Sequence, residues 1–493
     1  MSGVDLNDAA GRSVDWIGDF NDDGFDDFIV GAFRVDGPVG GDAGAAYVVF
    51  GDPDRFDTEI SLGDLDGSDG FRLVGRNGGD TLGERVSGLG DINDDGLPDV
   101  AVGAYRADPG GKSGAGEAYV LFGSDGVFPA SIHPDDLDGD NGFELLGANP
   151  FDQLGFDVSG AGDVNGDGID DLIVGGDGAN SAWVVFGRST AFPAALSVAD
   201  LDGANGFRLD GAASGADTGH TVAGIGDFDG DGVDDIAVSA PAQSPDGMSN
   251  AGAVFVLFGS LQPFPAAIDL AALDGLDGFR IDGQSAGAEL GHAVSGVGDF
   301  NADGLSDFAF SSLGYDAPAA GGNNAGIVYL VLGGSAQGQP AFDLASLDGS
   351  NGGVLIGVWA DGNLGRAVAP AGDFDKDGLP DWLTAADRAN PEARFDAGEV
   401  AVVYGTTDPL PASRSVDALD GEAGIVVIGA TAGERTGFDL AGGGDLDGDG
   451  EIDLLFGAPF ADPGGVANSG RVIVLSGRGL VPIFSDRFEA PAP

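Results

Sequence analysis

The 493-residue sequence contains no cysteine, so no disulfide crosslinks it and cysteine usage does not indicate a redox compartment. Basic residues are also scarce, since 20 Lys and Arg stand against 82 Asp and Glu, for a formal net charge of −62. A charge this negative makes nucleic acid and anionic membranes poor partners. No apolar run is long enough to span a bilayer, so we expect no membrane insertion. Residues 1–5 lack the basic and apolar regions of a signal peptide, so such a signal has been removed or never existed.

Glycine, by contrast, is abundant, with 92 residues in the chain. Such a composition is typical of disorder when the glycines stand in polar sequence. Here regular apolar runs separate them, which indicates tight turns that link many short strands.

A nine-residue frame is clearest at residues 227–235, Asp-Phe-Asp-Gly-Asp-Gly-Val-Asp-Asp. Side-chain oxygens stand at its first, third, fifth and ninth positions, and Gly232 at the sixth allows the left-handed turn that brings them together. A hard dication with six or more oxygen ligands, namely calcium, suits such a set. The frame begins like an EF-hand loop, but its last acid comes at position nine and strand-like residues 236–238 follow at once. It therefore predicts a calcium loop inside a β-hairpin.

The frame occurs seven times at spacings of 64 to 74 residues, which is the signature of a repeat architecture. In each copy we expect ligation by the side chains at positions one, three, five and nine and by the backbone carbonyl at position seven. The predicted ligands, in chain order, are Asp19, Asn21, Asp23, Phe25 and Asp27; Asp91, Asn93, Asp95, Leu97 and Asp99; Asp163, Asn165, Asp167, Ile169 and Asp171; Asp227, Asp229, Asp231, Val233 and Asp235; Asp299, Asn301, Asp303, Leu305 and Asp307; Asp373, Asp375, Asp377, Leu379 and Asp381; and Asp445, Asp447, Asp449, Glu451 and Asp453.

These ligands imply about seven structural Ca²⁺ ions. We expect the ninth aspartate to bind through both oxygens, because the glutamate at position twelve of an EF-hand is missing. Loops four, six and seven carry four carboxylates each and should bind more tightly than the others, which carry three. The alternative is that the frames are Asx-turns that tighten hairpins without metal.

Each repeat reads as four short strands, which predicts an antiparallel blade and an all-β fold. The predicted blades span residues 1–75, 76–147, 148–211, 212–283, 284–357, 358–429 and 430–479, as one domain over 1–479. A turn of the form Leu-Asp-Gly precedes only six fourth strands, so one is missing at the chain ends. One interpretation is a trimmed N-terminus; another is that the tail, 480–493, closes the last blade through its first part, 480–484.

Seven such units, each with Gly-Asp-x-Asn/Asp-x-Asp-Gly-x-x-Asp followed by Val-Gly-Ala-like residues, closely resemble FG-GAP repeats, as in the integrin α-subunit β-propeller and many bacterial exported proteins. The motif stands at residues 18–32, 90–104 and 444–459. The resemblance implies a seven-bladed β-propeller of four-stranded antiparallel blades with calcium in the first hairpin of a blade. Integrin α chains bind calcium in only some blades, whereas all seven loops here keep the ligands, which favours a bacterial-type member.

Catalysis is poorly supported, and we expect no catalytic residues and no enzyme. His133 lies in an excursion between strands. His220 and His292 share one repeat-equivalent position that holds other residue types in the remaining units, which is typical of a surface or loop position.

Partner binding fits the sequence better, through the loops between second and third strands. These loops carry scarce basic and aromatic groups that suit a protein or glycan ligand, although each is equally consistent with an ordinary exposed residue: Tyr105, Arg106, Lys112, Tyr315, Arg388, Arg394 and Phe395. By resemblance, integrins bind ligands and their partner subunit on the equivalent face.

The sequence thus predicts a calcium-binding, integrin α-like extracellular binding or adhesion module. The alternatives are a carbohydrate-active lyase or hydrolase using the loop face, and a structural scaffold domain of a larger surface protein. Extracellular calcium levels suffice to fill moderate-affinity sites, whereas cytosolic levels do not, which places the protein outside the cell or on its surface. Neither the ligand nor the oligomeric state follows from the sequence.

Overall fold

The computed structural model describes residues 1–53, 60–317, 323–477 and 488–489. In chain order the strands are β1 (Ser13–Gly18), β2 (Asp27–Ala32), β3 (Ala45–Val49), β4 (Gly70–Val74), β5 (Val86–Gly90), β6 (Asp99–Ala104), β7 (Glu117–Leu121), β8 (Ser131–Ile132), β9 (Gly142–Leu146), β10 (Leu154–Gly162), β11 (Asp171–Gly176), β12 (Ser181–Val185), β13 (Ala195–Ser197), β14 (Gly206–Asp210), β15 (Val222–Gly226), β16 (Asp235–Ala240), β17 (Ala253–Leu257), β18 (Ala267–Asp269), β19 (Gly278–Asp282), β20 (Leu290–Gly298), β21 (Asp307–Ser312), β22 (Ile327–Val331), β23 (Ala341–Phe342), β24 (Gly352–Ile356), β25 (Leu364–Gly372), β26 (Asp381–Ala386), β27 (Glu399–Val403), β28 (Ser413–Ser415), β29 (Gly424–Ile428), β30 (Leu440–Gly444), β31 (Asp453–Ala458), β32 (Arg471–Ser476) and β33 (Phe488–Glu489).

The helical elements among the described residues are single 3₁₀ turns, and none of them is long and apolar enough to cross a membrane. Their bounds are Leu62–Asp64, Pro109–Gly111, Pro134–Asp136, Asp177–Ala179, Val198–Asp200, Pro245–Gly247, Leu270–Ala272, Leu344–Ser346, Pro391–Ala393, Val416–Ala418 and Pro463–Gly465.

The strands form seven sheets, which confirms the prediction of an all-β, seven-bladed propeller. In each sheet the strands pair antiparallel in sequence order, as in β1-β2-β3-β4 of the first blade. Six sheets differ from the prediction by a short fifth strand that pairs parallel to the fourth; in the first blade this strand is β8. In five of these sheets the fifth strand comes from the excursion of the following blade, and in the sixth blade it is β33 of the C-terminal tail. It covers a sheet edge that would otherwise expose unpaired backbone groups.

Aromatic stacking holds these excursions in place. Phe143 on β9 lies parallel to Phe192 of the next excursion, with ring centroids 4.4 Å apart, and Phe207 on β14 lies 4.5 Å from Phe264 in the same way. Phe143 and Phe207 are fully buried, so each stack adds apolar contact at the outer rim of a blade.

The ring is closed by contacts between the innermost strands, since each inner strand contacts the next and β30 contacts β1. Seven clusters of buried apolar side chains lie between neighbouring blades, for example between the last and first blades around Leu455 and Val30. The hydrophobic core is therefore divided among the blade interfaces, and opening any one of them exposes apolar surface.

The missing fourth strand of the last blade is replaced by the N-terminal residues. Ser2 bridges antiparallel to Arg471 of β32, the Val472 N–H donates to the Met1 carbonyl at 3.0 Å, and the Gly3 N–H donates to the Gly470 carbonyl at 3.0 Å. On its other side Ser2 bridges parallel to Ser61, as a fourth strand bridges to a fifth in the other blades. The prediction that residues 480–484 close this blade lies outside the described residues.

Candidate functional site

Each nine-residue frame joins the first and second strands of a blade. The glycine at position six has φ between 82° and 93° in all seven copies, so the left-handed turn expected there is present. Position four is also left-handed, at φ 58° for Asp22 and 67° for Lys376, a requirement that the sequence analysis missed. Glycine at this position in three of the copies was the available signal.

The ninth aspartate is buried in every copy and anchors the hairpin. Asp235, with 0% of its surface exposed, accepts the Phe228 N–H at 2.9 Å from inside the loop. Its other oxygen accepts the Gly259 N–H at 2.8 Å, at the end of the third strand. The same pair of bonds recurs at the other six ninth aspartates, which ties the loop to the neighbouring strand.

The first and fifth carboxylates fold the loop on itself. In the first copy Asp19 accepts the Asp23 N–H at 2.9 Å and the Gly24 N–H at 2.9 Å, and Asp23 accepts the Phe25 N–H at 3.0 Å. These are the bonds of an Asx-turn, and they hold the carboxylates around one point whether or not a cation is bound. Hydrogen bonding alone therefore does not separate the metal interpretation from its alternative.

The clustering of negative charge separates the metal interpretation from the Asx-turn alternative. In three loops the carboxylate oxygens of three aspartates lie within 4.8 Å of one another: Asp227, Asp229 and Asp235; Asp373, Asp375 and Asp377; and Asp445, Asp447 and Asp453. These are loops four, six and seven, the ones with aspartate at position three. Asp373 Oδ1 is buried without a hydrogen-bond partner. Such an orphaned oxygen among like charges fits a hard cation and is costly without one.

Burial also disfavours the charge of the ninth carboxylate. Burial, together with the neighbouring loop carboxylates, raises the pKa of Asp27, Asp99, Asp171 and Asp235 to about 8. Both oxygens of each of these groups nevertheless accept N–H bonds, which suits the ionised form. A cation beside them would supply the missing positive charge, so the residues present fit calcium.

Neighbouring loops are linked around the ring. The residue at position eight contacts the loop of the preceding blade. Asp170 accepts the Asp91 N–H at 2.9 Å, and Asp26 of the first blade accepts the Asp445 N–H of the last blade at 2.9 Å. Glu451, expected to contribute only its backbone, pairs through its side chain with Lys376 of loop six. The loops thus form one connected acidic face.

The opposite mouth of the central channel carries a ring that the sequence analysis interpreted incorrectly. The repeat-equivalent position of His220 and His292 was expected on a surface or loop. Instead, the seven side chains at this position stand half-buried or buried at the start of the inner strands: Arg12, Glu84, Phe156, His220, His292, Arg366 and Phe438. His133, also singled out, caps the 3₁₀ turn at Pro134 by accepting the Asp135 N–H at 3.3 Å.

Neighbours in this ring contact one another. Arg12 Nε donates to Glu84 at 2.7 Å, and Arg366 Nη1 lies 2.9 Å from His292 Nε2. The Arg12 and Arg366 guanidinium groups lie 4.5 and 4.0 Å from the centroid of the Phe438 ring. On the far side Phe156 contacts His220, with centroids 5.1 Å apart, and His220 contacts His292 at 5.6 Å.

The loop residues proposed as partner-binding do not converge. Arg106 lies over the Tyr105 ring at 5.1 Å, and Tyr105 reaches Phe156 of the ring at 5.3 Å. Arg394, by contrast, donates to the Gly429 carbonyl within its own blade at 2.8 Å. Phe395 is 70% exposed. The Tyr105 pair therefore extends the channel mouth.

Comparisons with known proteins agree with the fold. The FG-GAP repeat model matches residues 83–121, 218–257 and 436–475, in the second, fourth and seventh blades. The chain is 32% identical over 266 residues to human integrin alpha-IIb, covering 53% of this chain and 22% of that one. It is 28% identical over 314 residues to integrin alpha pat-2 of Caenorhabditis elegans, covering 62% and 24%.

A further relative is bovine phosphatidylinositol-glycan-specific phospholipase D, 34% identical over 183 residues, with 37% of this chain and 20% of that one covered. Among solved structures, a chain in the crystal structure of BBS1N in complex with ARL6DN, soaked with lead, matches at a TM-score of 0.44 and 10% identity, covering 97% of this chain and 99% of that one. So low a score says nothing about function. The chain spans only about a fifth to a quarter of the length of the three sequence relatives. This chain carries FG-GAP repeats and folds as an integrin α-like β-propeller.

Proposed function

We propose that this protein is a calcium-stabilised propeller that serves as an extracellular or cell-surface binding or adhesion module. The observation that carries the proposal is the buried aspartate at the ninth position of each of the seven hairpins, together with the carboxylates that converge in loops four, six and seven. Calcium at about seven such sites would offset two negative charges in each loop and hold the hairpin of every blade in place. The proposed ligands are those given by the frame: positions one, three, five and nine, and the position-seven carbonyl.

Hydrogen bonds within each hairpin position the proposed calcium ligands. In loop four, Asp235 fixes the hairpin to the third strand, while Asp227 accepts the Asp231 and Gly232 N–H groups at 3.0 Å each. These bonds hold the carboxylates in place before a cation arrives, so little further ordering accompanies binding. With the hairpins rigid, the loops at the opposite face are free to vary in sequence and contact a ligand.

A binding role fits the channel mouth better than a catalytic one. Burial and the neighbouring Arg366 hold the pKa of His292 well below its usual range, so the imidazole is neutral and its Nε2 accepts from Arg366. That nitrogen has no lone pair left for proton abstraction. His220 Nδ1 lies 3.4 Å from Asp177, at the outer side of the ring.

An enzyme is the second candidate, because His292, Arg85 and Arg366 line one cavity in the channel. Tyr105 contacts Phe156 of the ring at the channel mouth. A polysaccharide lyase or hydrolase would release new reducing or unsaturated ends from an acidic glycan. A binder would retain the glycan unchanged after prolonged incubation, and we expect that result.

The test of the metal is thermal unfolding with calcium and with excess chelator. We expect a large fall in melting temperature on chelation, restored by calcium, because binding to the folded state alone stabilises it by mass action. An unchanged melting curve in chelator would remove the proposal. A glycan and protein array with calcium present would then separate a binder from a scaffold, since a scaffold would retain nothing above background.

A further inference from the structure

The central channel encloses about 310 Å³ between the seven inner strands. Its wall carries both acidic and basic side chains, namely Asp15, Arg85, Asp157, Arg366 and Asp439. Elsewhere on this chain acidic residues outnumber basic ones by about four to one. At the channel mouth, however, three arginines and two histidines lie together.

Two of these arginines already have carboxylate partners. Arg12 is paired with Glu84, and Arg85 Nε lies 3.1 Å from Asp157. The carboxylates deeper in the channel are also satisfied, since Asp439 accepts the Val14 N–H at 3.0 Å. Asp15 likewise accepts the Ser87 hydroxyl at 3.0 Å.

Arg366 is the exception. Its Nη1 has only the neutral His292 as a partner, one face of its guanidinium lies on Phe438, and its Nε is buried with no hydrogen-bond partner among the described residues. Burial, and then the neighbouring charge of Arg12, lower its pKa to about 10. A buried hydrogen-bond donor without an acceptor is costly, and a buried cation without an ion pair is more costly. No carboxylate among the described residues forms an ion pair with this guanidinium; Asp387, the carboxylate that chiefly opposes the fall in its pKa, is paired with Arg435 at 3.6 Å.

We propose that the channel mouth binds the carboxylate of a small organic acid through the unpartnered Arg366 guanidinium, beside His292 and Arg12. The cavity holds a group about the size of a monosaccharide. A single negative charge fits better than two, because Arg366 is the arginine of the channel lining that forms no ion pair with the described residues, and three carboxylates lie in the same channel. This inference rests on the proposed binding role and names the chemistry of its ligand.

The test uses the calcium-loaded full chain with arginine side chains labelled for nuclear magnetic resonance. Acetate is compared with acetamide and D-glucuronate with D-glucose, so each acid has a neutral partner of similar size, and inorganic phosphate tests the alternative anion. We expect both carboxylates to shift the Arg366 Nε–H saturably and both neutral compounds to leave it unmoved. Failure of both carboxylates at concentrations of tens of millimolar, or tighter binding of phosphate, would overturn the inference.

Arg366→Gln should weaken carboxylate binding by at least about tenfold. Arg366→Lys, which keeps the charge but loses the planar donors, should weaken it less. The matched control is Arg34→Gln, since Arg34 lies 4.9 Å over the Phe33 ring on the same face but is exposed, and it should change nothing. Equal binding by Arg366→Gln and the parent would refute the site. The calcium-dependent melting of Arg366→Gln reports separately on folding and on the proposed function, because Arg366 is remote from the hairpins.

Discussion

Two aspartates of loop four should respond differently to calcium when replaced by alanine. Asp235 is fully buried and accepts the N–H groups of Phe228 and Gly259, which are themselves buried. Asp231 is exposed and accepts only the Val233 N–H, at 3.0 Å. Both are proposed calcium ligands, but only Asp235 is also a structural anchor that acts without metal.

The magnitudes follow from these bonds. Asp235→Ala leaves two buried N–H groups unsatisfied, at about 1–3 kcal/mol each. Removing a buried carboxylate returns part of this cost, so we expect a net loss of about 2–4 kcal/mol in the free energy of unfolding in chelator, and more in calcium. Asp231→Ala should cost less, about 1 kcal/mol in chelator, because one N–H loses its acceptor instead of two. In calcium its cost should rise, since a ligand is lost.

The assay is chemical unfolding of the parent and both variants, each in saturating calcium and in excess chelator. Equal costs for the two variants in chelator would show that the ninth aspartate acts only through metal, and would refute the anchoring role. A cost of Asp231→Ala that is the same with and without calcium would contradict its assignment as a ligand.

Three further predictions concern the closure of the last blade by residues 1–3, a glycine between blades and a carboxylate in the channel. Ser2→Pro removes the N–H that donates to the Ile60 carbonyl at 3.0 Å and should lower the melting temperature, whereas Ser2→Ala should not; equal melting of the two variants would argue against closure by residues 1–3. Gly252→Ala should lower the free energy of unfolding by more than about 2 kcal/mol, because φ at Gly252 is 83° and a Cβ there would lie 2.2 Å from the Leu290 nitrogen of the next blade. Gly232→Ala, at φ 90° with open space around it, should lower it by only about 1 kcal/mol. Similar unfolding free energies for the two variants would contradict the interblade contact. Burial raises the pKa of Asp15 to about 7, so the folded state resists an ionisation that the unfolded state undergoes near pH 4, and stability is lost as pH rises from about 4 to 7. Asp15→Asn lacks this loss, so in saturating calcium it should gain about 2–3 kcal/mol on the parent between pH 5 and pH 8. A difference that does not change with pH would refute the burial argument.

Local features were predictable to the residue. The frame at residues 227–235 predicted a hairpin loop, and the structure has Gly232 left-handed between β15 and β16. That succeeds because the loop closes on itself through bonds between residues two to five apart, so its conformation depends on contiguous sequence. The left-handed fourth position was missed because Lys376 and Asp22, which adopt it, carry no signal of their own.

Features that depend on other blades were not predictable. Each of the six fifth strands is only two or three residues long, and its pairing depends on a segment that lies outside its own blade. Likewise, the closing strand at residues 1–3 shows no strand pattern in so short a segment. Its partner, Arg471, lies at the opposite end of the sequence.

The sequence by itself determined seven equivalent units and the acidic hairpin in each, because both follow from repeated short-range spacing. The tertiary structure decided which residues meet at the axis. His292 and Arg366 are 74 positions apart, and as a variable repeat position they resembled surface residues. Only closure of the ring brings the seven equivalent positions to one channel, and that convergence leaves the buried guanidinium of Arg366 without an ion pair among the described residues.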